Sequence, residues 1–289
     1  GLVNAAGVVA FGPLLDTGDE VLEELFLTNV LGPLFLLRRV VPALAERRGF
    51  VVQLSAVVAE TPLPELSEGQ VLVRHHFMSL DPYMRGRMNE SKSYAVPQPL
   101  GQVMIGGTVG EVVDSQHPKF KAGDQVVGMG GWQEYSVVDA NVIGALRKVD
   151  TTHVPLSHYL GAVGMPGVTA WHGLVRIIEP KAGQTLTVSA ASGAVGSAYG
   201  ALAKARGCRV VGIAGGADKC NYVTQELGFD ACIDYKQHAD YLSLSKALKA
   251  ACPNGIDGHF ENAGGKVLDA VMLRMNAFGR IAVCGMIAG

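Results

Sequence analysis

From residue 165 onward the chain alternates short apolar runs with stretches that read as helices. The runs Leu186–Ser189, Arg209–Ala214, Ala231–Ile233, Gly258–Glu261 and Arg280–Cys284 predict strands. Such alternation predicts a parallel sheet with crossover helices. Residues 64–160 have another character. Their short β segments (Gln70–Phe77, Met104–Val113, Asp124–Gly128 and Glu134–Val138) are punctuated by glycine and proline, as in a small β-rich, barrel-like domain. The first sixty residues form a third block. They read as a strand at Gly1–Val3, a turn at Asn4–Gly7, a long helix around Asp19–Ala45 and a strand at Gly49–Ser55, with acidic residues from Asp16 to Glu20 where the helix would begin. The expected class is α/β, with an N-terminal βαβ fragment over 1–60, a β-rich domain over 61–160 and a parallel-sheet domain over 161–289.

Composition narrows the partners. A length of 289 residues suffices for two ordinary domains, and an apolar fraction of 48% supplies a substantial core. The formal net charge of −2 and the lack of a basic run or basic-aromatic stripe argue against nucleic acid. No apolar segment reaches the length of a membrane span, and the N-terminus lacks the basic and apolar regions of a signal peptide. The five cysteines (Cys208, Cys220, Cys232, Cys252, Cys284) form no C-x-x-C or Cys/His cluster. Reduced, buried or half-buried thiols in a cytoplasmic protein are the expected reading. The chain begins at Gly1, partway into a pattern, as a fragment, processed product or assembled sequence would.

The stretch Leu186–Gly207 carries the most chemistry. A strand meets Ala190-Ala-Ser-Gly-Ala-Val-Gly196, an alanine-rich helix follows at once, and the strand Arg209–Ala214 completes the unit. Gly193 and Gly196 allow a tight turn and a close approach to a pyrophosphate, with the helix N-terminus aimed at the anion. The spacing departs from G-x-G-x-x-G, because Ala191 stands at the first glycine position. Tight helix–strand packing is the structural alternative. The second strand ends in Gly215-Gly-Ala-Asp-Lys219. Glycine at the tip, where NAD folds usually place Asp or Glu, leaves room without negative charge. Lys219 and the glycine amides would welcome a 2′-phosphate, which favours NADP(H) over NAD(H). Against this, Lys219 could be a solvated first-turn residue and Asp218 could reach a ribose hydroxyl.

Zinc is judged on ligands. A catalytic site needs three protein ligands, yet no cysteine precedes Cys208. His75 and His76 are adjacent on a predicted strand, so their side chains point to opposite faces. No metal is expected.

From about Pro62 to the end, six ordered segments carry a resemblance: Ser79-Leu-Asp-Pro-Tyr-Met-Arg85, Phe120-Lys-Ala-Gly-Asp-Gln-Val126, Gly164-Met-Pro-Gly-Val-Thr-Ala-Trp171, Ala190–Gly196, Gly215–Lys219 and Phe260-Glu-Asn-Ala-Gly-Gly265. Together they resemble the medium-chain dehydrogenase/reductase superfamily, and within it the zinc-independent leukotriene/prostaglandin reductase-like branch. The resemblance implies a GroES-like barrel followed by a Rossmann-type domain. It also implies NADPH-dependent reduction of the C=C bond of α,β-unsaturated ketones and aldehydes. By position, Gly193, Ala194 and Val195 would approach the pyrophosphate. Gly216, Lys219 and Tyr235 would meet the adenosine 2′-phosphate region. Asn262 would sit near the ribose or nicotinamide, Met165, Pro166 and Thr169 would line the nicotinamide end, and Tyr83 would face the substrate mouth as the candidate catalytic donor to an enolate oxygen. The expected partner is a small unsaturated carbonyl compound, and a homodimer is the assembly considered.

The first sixty residues resemble a different family, the short-chain dehydrogenase/reductases, through Asn4-Ala-Ala-Gly7, Thr28-Asn-Val-Leu-Gly32 and Val52-Gln-Leu-Ser55. That family's glycine-rich turn and Tyr-x-x-x-Lys pair are missing. The nearest candidate, Tyr83-Met-Arg-Gly-Arg87, carries arginine, which cannot readily replace the lysine. The resembled medium-chain family also continues past Gly289, so the nucleotide domain is expected to be incomplete at its C-terminal end and the chain to be a join of two reductase pieces. The leading expectation is an enone reductase. A quinone reductase using the same hydride step, or a noncatalytic nucleotide-binding fusion, are the alternatives.

Overall fold

The computed structural model describes residues 2–4, 51–53, 65–90 and 96–288. The chain divides into a unit over Gly1–Glu65 and a unit over Leu66–Gly289. In the first, β1 (Leu2–Asn4) pairs in parallel with β2 (Val51–Gln53), Leu2 opposite Val51 and Asn4 opposite Gln53. The helix predicted around Asp19–Ala45 lies outside the described residues, as does the turn predicted at Asn4–Gly7 except for Asn4, which ends β1.

The second unit opens with a curled antiparallel sheet. Its strands are β3 (Gln70–Met78), β4 (Thr108–Ser115), β5 (Gln125–Gly128), β6 (Tyr135–Asp139) and β7 (Leu146–Lys148), in the order β6-β3-β4-β5-β7. Val71, Val73, Val112 and Val126 form its core, closed by Phe120, Val138 and Leu146. A short helix, α1 (Pro82–Arg87), follows β3 and begins at a proline after Asp81, a placement that uses proline's missing N–H and fixed φ. The strand predicted from Met104 begins at Thr108, after Gly106-Gly107.

A 3₁₀ turn at Leu156–Leu160 rests on β4 and β5 and leads into α2 (Met165–His172), which continues as a π-helical segment over Gly173–Ile178. Next come β8 (Thr185–Ser189), α3 (Ala194–Ala205), β9 (Arg209–Ala214), α4 (Ala217–Gln225) and β10 (Ala231–Asp234). After them follow α5 (Tyr241–Ala251), β11 (Ile256–Glu261), α6 (Gly265–Met272) and β12 (Met275–Val283). The five strands form one parallel sheet in the order β10-β9-β8-β11-β12. Strand order therefore reverses between β8 and β11, where open α/β sheets place their ligands.

The sheet is covered on both faces. One core gathers Leu186, Val188, Phe260, Leu174, Tyr199 and Phe229. The other gathers Val211, Ile213, Leu244, Leu248, Ile256 and Val271. Tyr199 and Phe260 meet with ring centroids 5.0 Å apart. The Tyr199 hydroxyl is buried and meets no hydrogen-bonding partner among the described residues. Leaving a buried hydroxyl unpaired costs about 1–3 kcal/mol. Tyr199→Phe is therefore expected to raise stability by about 1 kcal/mol in urea unfolding; a loss instead would mean that the hydroxyl has a partner.

All five cysteines are free thiols. Cys208 and Cys252 are buried and Cys220 and Cys232 half-buried, but Cys284 is exposed. The expectation of buried or half-buried thiols fails there because Cys284 lies one residue beyond β12, past its last pairing with β11. No helix among the described residues is long and apolar enough to cross a membrane.

Candidate active site

Three turns meet the C-terminal edge of the parallel sheet. The first joins β8 to α3. Ala190 takes a left-handed conformation (φ 50°) and its carbonyl accepts from the Gly193 amide at 2.9 Å. The left-handed residue of the turn is thus Ala190, while Ala191, at the first glycine position of the fingerprint, packs in the core. Helix α3 opens after Gly193 with no side chain capping it, so the amides of Ala194 and Val195 and the helix dipole face outward. Gly196 is where turn and helix touch: a Cβ there would lie 2.4 Å from the Ala190 carbonyl oxygen.

The second turn joins β9 to α4. Gly216 has φ 102° and open space where a side chain would stand. Asp234, at the end of β10, holds this turn from below. Its Oδ1 accepts from the amides of Gly216 (2.8 Å) and Lys236 (3.0 Å), and its Oδ2 from the Gln237 side chain (3.2 Å). The Gly216 amide is the main reason that this carboxyl sits below the usual range. The Tyr235 ring and the Lys236 stem lie against Gly215. Lys266 stacks its ammonium 5.7 Å from the Tyr235 ring centre and donates to the His238 carbonyl at 2.6 Å. Lys219 is exposed on the first turn of α4 beside exposed Asp218. Gly216 and Lys219 thus share one turn, and Tyr235 packs beneath its first glycine.

The third turn follows β11. The Asn262 side chain donates to the Ser189 carbonyl at 2.9 Å, and its amide donates to Ser189 Oγ at 2.6 Å. Asn262 is thereby tied to the end of β8. Helix α2 packs against α3. Met165 is exposed on its first turn and Pro166 is buried. Thr169 donates its hydroxyl to the Met165 carbonyl at 2.7 Å. Tyr83 is carried by another element, α1 of the barrel, half-buried, with the Arg87 guanidinium 6.0 Å from its ring centre.

Sequence reading missed the residues behind the third turn. Thr187 and Ser189 on β8, and His259 and Glu261 on β11, are all buried. In register, Thr187 stands opposite His259, and one face of the sheet carries all four. Thr187 Oγ1 lies 2.7 Å from His259 Nδ1, and His259 Nε2 lies 3.0 Å from Glu261 Oε2. Glu261 Oε1 accepts from Ser189 Oγ (2.5 Å), the Ala263 amide (2.5 Å) and the Gly264 amide (2.9 Å). Burial alone would push this carboxyl up; the His259 contact, the Ser189 hydroxyl and the Gly264 amide reverse it and hold it at about 2. The available signal was polar residues at two-residue spacing inside strands otherwise apolar.

The depressed value has a sign. Stability from ionised Glu261 is complete above the ordinary value of 4.5 and is lost as pH falls toward about 2. Urea unfolding of wild type and Glu261→Gln from pH 6 to pH 2 should therefore show the wild type losing its advantage across that window. Parallel curves would refute this.

Among the described residues no group of three or more His, Cys, Asp or Glu side chains is placed to hold a metal. His75 Nε2 meets Ser136 Oγ at 2.8 Å, while His76 Nε2 faces Glu111 at 3.8 Å. The three turns instead suit a phosphorylated dinucleotide: an uncapped helix start, an open glycine tip and cations beside it.

Comparison with known proteins agrees with this geometry. A family described as the N-terminal domain of oxidoreductase matches residues 44–146, and one described as zinc-binding dehydrogenase matches residues 194–289. The chain is 50% identical over 221 residues to an NADPH-dependent curcumin reductase of Escherichia coli, covering 76% of this chain but 62% of the relative. It thus spans less than two thirds of that protein's length. It is 45% identical over 238 residues to an NADP(+)-dependent 2-alkenal reductase of Nicotiana tabacum, covering 82% of this chain and 68% of the relative. The crystal structure of CurA from Vibrio vulnificus in complex with NADPH superposes with a TM-score of 0.71 at 46% identity, over 80% of this chain and 66% of that one. With this degree of identity over most of its length, and with the barrel and parallel sheet in the expected order, the chain belongs to the zinc-independent medium-chain dehydrogenase/reductase family.

Proposed function

We propose that this chain is an NADPH-dependent reductase of the C=C bond of α,β-unsaturated ketones and aldehydes. The observation that carries the reading is the tip of β9. Gly216 leaves open space there, and the nearby Asp234 carboxylate already accepts from the Gly216 and Lys236 amides and the Gln237 side chain. A 2′-phosphate placed at this tip meets Lys219 and the hydroxyl of Tyr235. The relatives named as curcumin and 2-alkenal reductases support the same cofactor and substrate class.

Bound NADPH supplies a hydride for the β-carbon of the alkene, with a proton following at the α-carbon. The chain's own part is to bind and orient. The amides of Ala194 and Val195, with the Gly193 backbone beside them, take the pyrophosphate. Met165, Pro166, Thr169 and Asn262 border the nicotinamide end. Tyr83 donates its hydroxyl to the oxygen on which negative charge develops, where a preorganised donor is most effective. The protein is placed in the cytoplasm, where free thiols stay reduced, and a homodimer is the proposed assembly.

Lys219→Ala tests the cofactor assignment. Losing one charge-assisted phosphate contact should raise the Kd for NADPH about 10- to 100-fold and that for NADH less than about 3-fold. Equal effects on both would remove the 2′-phosphate reading. Consumption of NADPH with an unsaturated ketone tests the reaction. Turnover of a flat quinone with none of the enone would replace the substrate class, and no NADPH binding at all would end the reading.

A further inference from the structure

Glu261 is fully buried at the last position of β11, beside the point where strand order reverses. An ionised carboxylate in such a place carries a desolvation penalty of several kcal/mol unless its lone pairs are all engaged. Here they are engaged by four donors: Ser189 Oγ from β8, His259 Nε2 from two residues back, and the amides of Ala263 and Gly264. Two of these donors are the backbone of the turn that carries Asn262 and leads into α6 at Gly264, whose φ is 75°. His259 is itself fixed by Thr187 Oγ1 on its other ring nitrogen. Ser189 also accepts from the Asn262 amide. A single carboxylate thus ties both central strands to one turn.

We propose that Glu261 is a positioning residue: its carboxylate fixes the Asn262–Gly264 turn so that Asn262 is held against the nicotinamide end, with His259 and Ser189 holding the carboxylate in turn. The proposal rests on the functional reading above for the identity of what Asn262 faces. Glu261 has no exposed surface, so it acts only through the turn. A displacement of about 1 Å at a reacting centre is enough to lower a rate about 100-fold, which gives a rigid tether here a direct use.

Two variants of the full chain separate charge from reach. Glu261→Gln keeps the length; its carbonyl can accept from Ser189, Ala263 and Gly264, and its amide can donate to His259 once that ring shifts its proton to Nδ1. Glu261→Asp keeps the charge but withdraws it by one methylene. The first readout is amide exchange at Ala263 and Gly264 in the cofactor-free protein. Glu261→Asp should raise it by about 10-fold or more, with Phe260 unchanged. The second is the split of kinetic parameters: kcat falls about 10- to 100-fold in Glu261→Asp while the Kd for NADPH changes less than about 3-fold. The isotope effect with 4-deuterated NADPH should rise together with that fall. Glu261→Gln should stay within about 3-fold of wild type in both. If Glu261→Asp does not fold, Ser189→Ala, which removes one donor to the carboxylate, should show the same pattern more weakly.

Unchanged exchange and kcat in a folded Glu261→Asp, or equal losses in kcat and NADPH affinity, would overturn the assignment while leaving the functional reading intact. A wild type with protected turn amides that binds no NADPH would overturn the functional reading, and the role of Glu261 with it.

Discussion

Gly196→Val is expected to raise the Kd for NADPH by more than about 100-fold, through loss of two or more amide contacts worth about 1.5–3 kcal/mol each to a charged group. A Cβ at position 196 would lie 2.4 Å from the Ala190 carbonyl oxygen and 2.9 Å from Ala191 Cα. Both atoms are backbone, so no rotamer change relieves the contact. Either α3 shifts along its axis or the turn after β8 opens. Both movements carry the amides of Ala194 and Val195 away from where a pyrophosphate would sit. The overpacking should also lower stability by about 1–3 kcal/mol. Fluorescence titration with NADPH and urea unfolding measure the two effects separately. Retained affinity with lowered stability would show that the phosphate is held elsewhere. Gly193 offers the internal contrast, since its Cβ would lie 3.1 Å from the same oxygen and the residue is exposed.

Phe260→Ala should cost about 3–5 kcal/mol. The ring is buried between Tyr199 on α3 and the start of the π-helical segment, where a Cβ on Gly173 would lie 2.3 Å from its Cε2. No neighbour can close the gap without moving one of these two elements. For a domain whose total stability is about 5–15 kcal/mol, this loss brings unfolding close to ambient temperature. Urea midpoints at constant m value give the measurement. A loss below about 1.5 kcal/mol would mean that the helices collapse onto the vacated space.

These two residues mark what could be read in the sequence. The glycine turn at Gly193 and Gly196 announced itself through the strand before it and the helix after it, and the structure has both. The strand at Arg209–Ala214 was legible to the residue, because an unbroken apolar run between charged and glycine-rich ends leaves little choice of register. Elsewhere the pattern was too coarse. β12 begins at Met275 and not at Arg280: Asn276, Gly279 and Arg280 break its apolar pattern, and Phe278 adopts a left-handed conformation (φ 63°) without ending the strand. The irregular pairing of β11 with β12 between Ile256 and Gly258 belongs to the same stretch. The π-helical segment after α2 has no signature that separates Gly173–Ile178 from ordinary helix.

The candidate site divides along the same line. Local backbone chemistry was legible at Gly216 and around the β8 turn. The Thr187–His259 and Ser189–Glu261 contacts were not, because each joins residues 72 apart in sequence. Only the order of the strands brings those residues to one face, and that order follows from packing the whole sheet. The position of the strained turn residue escaped for a related reason. A motif counts letters, but which alanine takes the left-handed angle is decided by where β8 ends.

On the proposed reading, the tip of β9 has a consequence for how coenzyme preference can change over time. In many dinucleotide folds one acidic residue at this tip selects the unphosphorylated coenzyme. Position 216 cannot take that residue by simple replacement. Its backbone angles (φ 102°, ψ 151°) fall where essentially only glycine is found. Asp234, the acid already nearby, is committed to holding the turn's own amides. A lineage drifting toward the other coenzyme would have to rebuild the loop before it could profit from a new carboxylate. The bar to an acidic residue at this tip is therefore inherited as a shape, while Lys219 sets how tightly a phosphate is held there.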